Sequence, residues 1–235
     1  MTNLPSELPD DFADRLVHLD RAQTVQRMLR GLSHEFRNQL QVVSLAAGLD
    51  TTVADPDLAA RIEGAIDALS EGFSLLGRLS RSLDEHPPQA RLGACLDQLR
   101  TLEALQLGLP AVRLEIIAPD ERLVVRAPET AFVHVLLTLV TNAKEAAGQG
   151  PNGVVTLTVT TGEPGRLVLT IADNGSGFGD RPVRAEPFCS SRDAREHGGI
   201  GLAAATTLLA RYGGSLEMKP GAKGGAVARL VVPGG

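Results

Sequence analysis

Aromatic side chains are scarce: there is no tryptophan, one tyrosine and six phenylalanines in 235 residues. Cores must then be built from Leu, Val, Ile and Ala, which favours helix bundles and helices layered on a sheet. Cysteine is scarce too. Cys95 and Cys189 lie far apart without metal-ligand spacing, which excludes a disulfide framework and reads as two reduced thiols. Positive charge is outnumbered, 23 Lys and Arg against 28 Asp and Glu, so the footprint of a nucleic-acid-binding surface is missing. No apolar run approaches the ~20 residues that cross a bilayer, and the acidic N-terminus is unlike a signal peptide. The expectation is a soluble cytoplasmic protein with no membrane or nucleic-acid partner. A GxxxxGK[ST] phosphate loop is absent as well. What is present is a 43% hydrophobic share, enough for packed cores, in a chain long enough for one large domain or two small ones.

Residues 1–10 carry two prolines and no periodicity, and are expected to form a tail. Residues 11–86 carry helical periodicity. Phe12, Leu16 and Leu19, then Leu29, Leu32, Phe36, Leu40, Val43 and Ala47 recur at three and four. Gly48 to Pro56 ends this helix. Ile62, Ile66, Leu69, Phe73, Leu76, Ser80 and Leu83 then form a stricter seam of coiled-coil type. A hairpin with an apolar stripe on each arm gains about 1.5–3 kcal/mol per Leu or Ile buried. Pairing two hairpins as a dimeric four-helix bundle is therefore the expected arrangement, with a hairpin packed only on its own C-terminal domain as the alternative.

His86-Pro87-Pro88-Gln89 breaks the helix and opens a linker over 87–91. The pattern then changes. Helices are expected at Leu92–Leu105, from Pro128 to Ala147, and at Gly201–Tyr212. Strands are expected at Val112–Ile117, Val154–Thr160, Leu167–Ala172, Ser215–Met218 and Ala226–Val232, with an irregular stretch over 173–199. Together these predict an α+β sandwich over 92–235, a mixed sheet with helices on one face.

Four short segments carry chemistry. In Ser33-His34-Glu35-Phe36-Arg37-Asn38, Leu32 and Phe36 mark the seam, so His34 faces outward with Asn38 one turn away on the same face. An imidazole near its ordinary pKa is a nucleophile at neutral pH, and Glu35 can accept its proton or fix its tautomer. A solitary surface histidine looks the same. Asp173-Asn174-Gly175-Ser176-Gly177-Phe178-Gly179 follows an apolar strand and sets a carboxylate at the edge of a cleft, with glycines that let a ligand approach the backbone. A mobile turn fits equally, whereas a dinucleotide fingerprint would need a helix at once. Gly198-Gly199-Ile200-Gly201-Leu202 opens a helix and offers free N–H groups to phosphate, with Ser190, Ser191, Arg192 and Arg195 just upstream. Asn142, in LLTLVTNAKEAA, is either a metal-ligating amide oxygen or a helix-end residue.

Taken in order, these segments resemble the boxes of the sensor histidine kinases of two-component signalling, over nearly the whole chain. SHEFRN resembles the phospho-accepting box, LVTNAKEAA the asparagine box, and DNGSGFG and GGIGLAAA the two glycine boxes. EPFCSSR is similar to the lid motif around Phe188. NAKEAA and EPFCSS look nearest to the nitrogen-regulation branch. The resemblance implies a helical phosphotransfer domain at 11–86 and an ATP-binding catalytic domain at 92–235. It implies His34 as phospho-acceptor with Glu35 and Asn38 beside it, and Asn142 as ligand of Mg2+. ATP would lie against Asp173, Gly175, Gly177, Phe188, Ser190, Ser191, Arg192, Gly199, Gly201 and Leu202. It also implies a homodimer, a response-regulator aspartate as recipient, and phosphatase activity through Asn38; input is expected from an upstream sensor protein, from the N-terminal helix itself or from a region outside this chain. Three positions depart from the pattern: Thr138 stands where a second asparagine is usual, Gln39 where proline is, and His197 at the first glycine of the second box. A histidine phosphotransfer adaptor with a non-catalytic nucleotide-type domain is the alternative.

Overall fold

The computed structural model describes residues 10–48, 89–104, 112–118, 120, 122–148, 152–177, 199–222 and 224–235, with isolated positions between 60 and 77. For residues 10, 30–31, 34–36, 38–48 and 104 it describes the backbone alone. The chain begins with a 39-residue helix, α1 (Asp10–Gly48), as the periodicity from Phe12 predicts. Ala60, Ile62–Gly64, Ile66, Asp67, Ser70, Phe73, Ser74 and Gly77 are helical too, where the second seam is expected. The rest of that seam, the Gly48–Pro56 turn beyond Gly48, and the break at 86–88 lie outside the described residues.

From residue 90 onward come β1 (Ala90–Arg91), α2 (Leu92–Ala104), β2 (Arg113–Ile117), β3 (Val124–Val125), α3 (Glu129–Ala147), β4 (Val154–Thr161), β5 (Arg166–Asp173), α4 (Gly201–Arg211), β6 (Ser215–Pro220) and β7 (Ala226–Pro233). Strand order in the main sheet is β2-β4-β5-β7-β6, with β2 parallel to β4 and every other pair antiparallel. This is the expected mixed sheet with helices on one face. A two-stranded ribbon, β1 with β3, was not foreseen: Ala90 pairs with Val125, and Arg91 with Val124. Two-residue strands carry no periodicity to read, and this one takes up the last residues of the expected linker.

Alternation explains the layering. Val155, Leu157 and Val159 of β4, Leu167, Leu169 and Ile171 of β5, and Ala226, Ala228, Leu230 and Val232 of β7 are buried, while their neighbours are more open. Period-two burial means that one face of the sheet is covered. The cover is α3 and α4, with α2 packed on α3. Pro128 fixes the entry to α3 at φ −56°, Glu129 sits in its first turn and Lys144 in its last, which suits the helix dipole. Buried Lys144 is paired with Glu103 of α2, and Gln98 of α2 donates to Glu129.

The first half of α1 lies on this helical layer. Leu16, Val17, Met28 and Leu32 belong to the same apolar core as Phe132, Leu136 and Leu208. Of the expected seam, Leu16 and Leu32 are buried, whereas Phe12, Leu19 and Leu29 are exposed. The buried stripe of α1 instead runs Leu16, Asp20, Thr24, Met28, Leu32 at intervals of four. Two polar residues in its middle hid it from an apolar count.

Candidate nucleotide site

Three segments meet at one end of the helical layer: the last turns of α3, the loop after β5 and the start of α4. Asn142 and Ala146 stand one turn apart on α3, on the same face. Gly201, the first residue of α4, comes so close to α3 that a Cβ on it would lie 3.0 Å from Thr138 Cγ2 and 3.9 Å from Asn142 Nδ2. A Cβ on Gly175 would lie 2.3 Å from the carbonyl oxygen of Ala146. The two glycine-rich segments therefore flank Asn142, one at the turn before it and one at the turn after.

The Asp173 loop is held from several sides. The Asp173 carboxylate, nearly buried at the end of β5, accepts a hydrogen bond from the Gly175 N–H at 2.9 Å. Asn174 bridges back to the start of β4: Val154 N–H donates to Asn174 Oδ1 at 2.8 Å, and Asn174 Nδ2 donates to the Asn152 carbonyl at 3.0 Å. Gly225, at φ +74°, lets the β6–β7 turn press against the loop; a Cβ there would lie 1.9 Å from the Asp173 carbonyl oxygen. Gly177, at φ +64°, meets the backbone of Gly225 in turn. A carboxylate fixed by its own loop is an acceptor of set direction, able to accept a hydrogen bond from an exocyclic amine or a hydroxyl.

Of the residues expected at a site, the structure brings together Asn142, Asp173, Gly175, Gly177, Gly199, Gly201 and Leu202. Asn142, Gly175, Gly177, Gly199, Gly201 and Leu202 are each partly open to solvent. Phe188, Ser190, Ser191, Arg192, Arg195 and His197 lie outside the described residues. His34, Glu35 and Asn38 are on α1, their side chains outside the described residues, and exposed Arg37 is on the same helix. Among the described residues no three His, Cys, Asp or Glu side chains converge as a metal site.

Sequence reasoning missed four residues here. Gly225 and Asn174 brace the Asp173 loop. Asp20 and His134 meet near the start of α4: Asp20 Oδ2 lies 2.9 Å from His134 Nε2 and accepts from Thr138 Oγ1 at 3.2 Å, with Oδ1 beside Gly201. The available signal was the spacing of His134, Thr138 and Asn142 at intervals of four, a polar stripe on a helix otherwise buried.

Residues 127–235 match the family described as "Histidine kinase-, DNA gyrase B-, and HSP90-like ATPase". Among curated proteins, the C4-dicarboxylate transport sensor protein DctB of Pseudomonas aeruginosa is 27% identical over 231 residues, covering 94% of this chain and 38% of that protein. The sensory histidine kinase/phosphatase NtrB of Rhizobium leguminosarum bv. phaseoli is 28% identical over 232 residues, covering 89% of this chain and 59% of NtrB. The chain thus spans less than two thirds of the length of these relatives. Among solved structures, the mycobacterial sensor histidine kinase MprB superposes with a TM-score of 0.53 at 22% identity, over 62% of this chain and 96% of the MprB chain. That likeness concerns the fold.

Proposed function

We infer that this chain is the kinase core of a sensor protein histidine kinase. It would take the γ-phosphoryl group of ATP onto His34 and pass it to an aspartate of a response regulator. The observation that carries this reading is the convergence of Asn142, the Asp173 loop and the start of α4. The family match over 127–235 and the sensor-kinase relatives support it. Phosphoryl transfer asks a protein mainly for positioning and charge neutralisation, and loops of free N–H groups at a helix start supply both. Asp173 would accept from the adenine amino group, and Gly175, Gly177, Gly199, Gly201 and Leu202 would line the phosphate path. Phe188, Ser190, Ser191 and Arg192 would close over it.

The Asn142 side chain, half-buried beside Gly201, fits a magnesium ligand, because its amide oxygen is the hard donor that Mg2+ takes. The ion would neutralise phosphate charge there. In the phosphotransfer domain, 11–86, Glu35 would hold the His34 ring for attack, and Asn38 would aim water at the regulator's phospho-aspartate as a phosphatase. The assembly would be a cytoplasmic homodimer built by the helical hairpins, answering an upstream sensor. NAKEAA and EPFCSS favour a likeness to the nitrogen-regulation branch.

Nucleotide titration tests the site. A fluorescent ATP analogue with Mg2+ should bind the parent chain, and Asp173→Asn should weaken binding at least tenfold, since an amide presents a donor where an acceptor is needed. That loss corresponds to about 1–3 kcal/mol for a mismatched buried polar group. Equal affinity in the two proteins would remove Asp173 from the site.

A further inference from the structure

The first half of α1 rests in the groove between α3 and α4, and its polar contacts run along both helices. Asp14 pairs with Arg211 at the far end of α4. Asp20 meets His134 and Thr138 in the middle of α3, and Arg27 lies 3.9 Å from Glu145 near its end. Leu16, Val17, Met28 and Leu32 add apolar contacts between them.

Asp20 is the centre of this strip. Its carboxylate is only 2% exposed, as is His134, and an ionised carboxylate out of water needs such partners to stay there. Oδ2 is directed to His134 and Thr138. Oδ1 lies 3.3 Å from the point where a Cβ on Gly201 would stand, the same point that Asn142 Nδ2 approaches to 3.9 Å. The carboxylate therefore sits at the N-terminal end of α4, beside Asn142. A helix N-terminus favours an anion, and here the anion is supplied by the chain itself. Thr138, at the position where the resembled kinases usually carry asparagine, is one of the two residues that bind it.

We propose that Asp20 is a latch: docked on His134 and Thr138, it holds α1 across the phosphate end of the nucleotide site, so α1 docking and nucleotide binding exclude each other. This rests on the nucleotide reading of the site given above. Two like charges at one helix start repel, and the Asp20 carboxylate already stands beside Gly201, where the reading above puts phosphate. The docking strip has polar residues, Asp20 and Thr24, in the middle of its apolar stripe, so release returns them to water and the contact can open without unfolding the layer beneath. Nucleotide then binds only the undocked fraction, and its apparent affinity is lowered by that fraction. By the same linkage, anything that holds α1 away raises nucleotide affinity.

The test uses the full chain with two readouts. Asp20→Asn, which keeps the shape and removes the charge, should bind a non-hydrolysable ATP analogue with Mg2+ about fivefold or more tightly than the parent. Amide hydrogen exchange in the parent gives the second readout: residues 14–32 should be protected without nucleotide and exchange faster when the analogue is added. Equal affinity in parent and variant, or unchanged exchange over 14–32 on binding, overturns the latch and leaves the nucleotide site standing. Weaker binding in Asp20→Asn also overturns it, because the carboxylate would then assist the nucleotide. Absence of binding in both proteins overturns the nucleotide reading and this inference with it.

Discussion

The backbone of Gly225 packs so tightly on Asp173 that any side chain at position 225 would start 1.9 Å from the Asp173 carbonyl oxygen. Gly225 also holds φ +74°, a conformation that disfavours residues with a Cβ. Gly225→Ala should therefore cost about 2 kcal/mol or more in stability. Denaturant unfolding of the chain measures it, and a parent-like midpoint would mean that the β6–β7 turn does not brace the Asp173 loop.

Cys95 offers a pH prediction. Burial in α2, with the Glu129 carboxylate adding to it, pushes the thiol up from 9.0 to about 12. A thiol whose folded pKa is raised contributes stability that is present below pH 9 and is lost as pH climbs toward 12. In a Cys189→Ser background, Cys95 should resist a thiol reagent at pH 8 in the folded protein and react at once on unfolding. Melting temperature in that background should fall over pH 9–12, and Cys95→Ala should flatten part of the fall. Rapid labelling of the folded protein at pH 8 would contradict the buried placement.

The assembly is open to sedimentation. Leu19 and Leu29 on α1, with Ile66 and Phe73 at helical positions further on, are exposed apolar side chains in the single chain. The proposed four-helix bundle would cover side chains of this kind. The chain should sediment as a dimer at micromolar concentration, and Leu76→Glu, placed in the second seam, should dissociate it. A monomeric parent would refute the four-helix bundle.

The sheet was legible because β4, β5 and β7 alternate with period two, and α3 and α4 because Pro128 and Gly201 punctuate their starts. Their bounds fall within about one residue of expectation at most ends. The glycine boxes were legible as motifs, yet the reasons for their spacing were not. That Gly175 answers Ala146 and Gly201 answers Thr138 depends on how α3 lies against two distant segments. The docking of α1 on the C-terminal layer was legible only as an alternative, and the stripe it uses was illegible for a different reason. Its buried stripe passes through Asp20 and Thr24, and hydrophobic periodicity discards polar positions. The stripe that does show, through Leu19 and Leu29, faces solvent in the single chain. A polar contact over 114 residues of separation, such as Asp20 with His134, has no local signature in either partner.

Self-labelling decides whether His34 accepts phosphate from ATP. The chain is incubated with Mg2+ and ATP labelled at the γ-phosphate, and the protein-bound label is then challenged with acid and with alkali. A histidine kinase acquires a label that is lost in acid and kept in alkali. The same label should be absent from His34→Gln, while that variant binds the ATP analogue within a few-fold of the parent. Label that survives acid, or label retained by His34→Gln, would contradict the account.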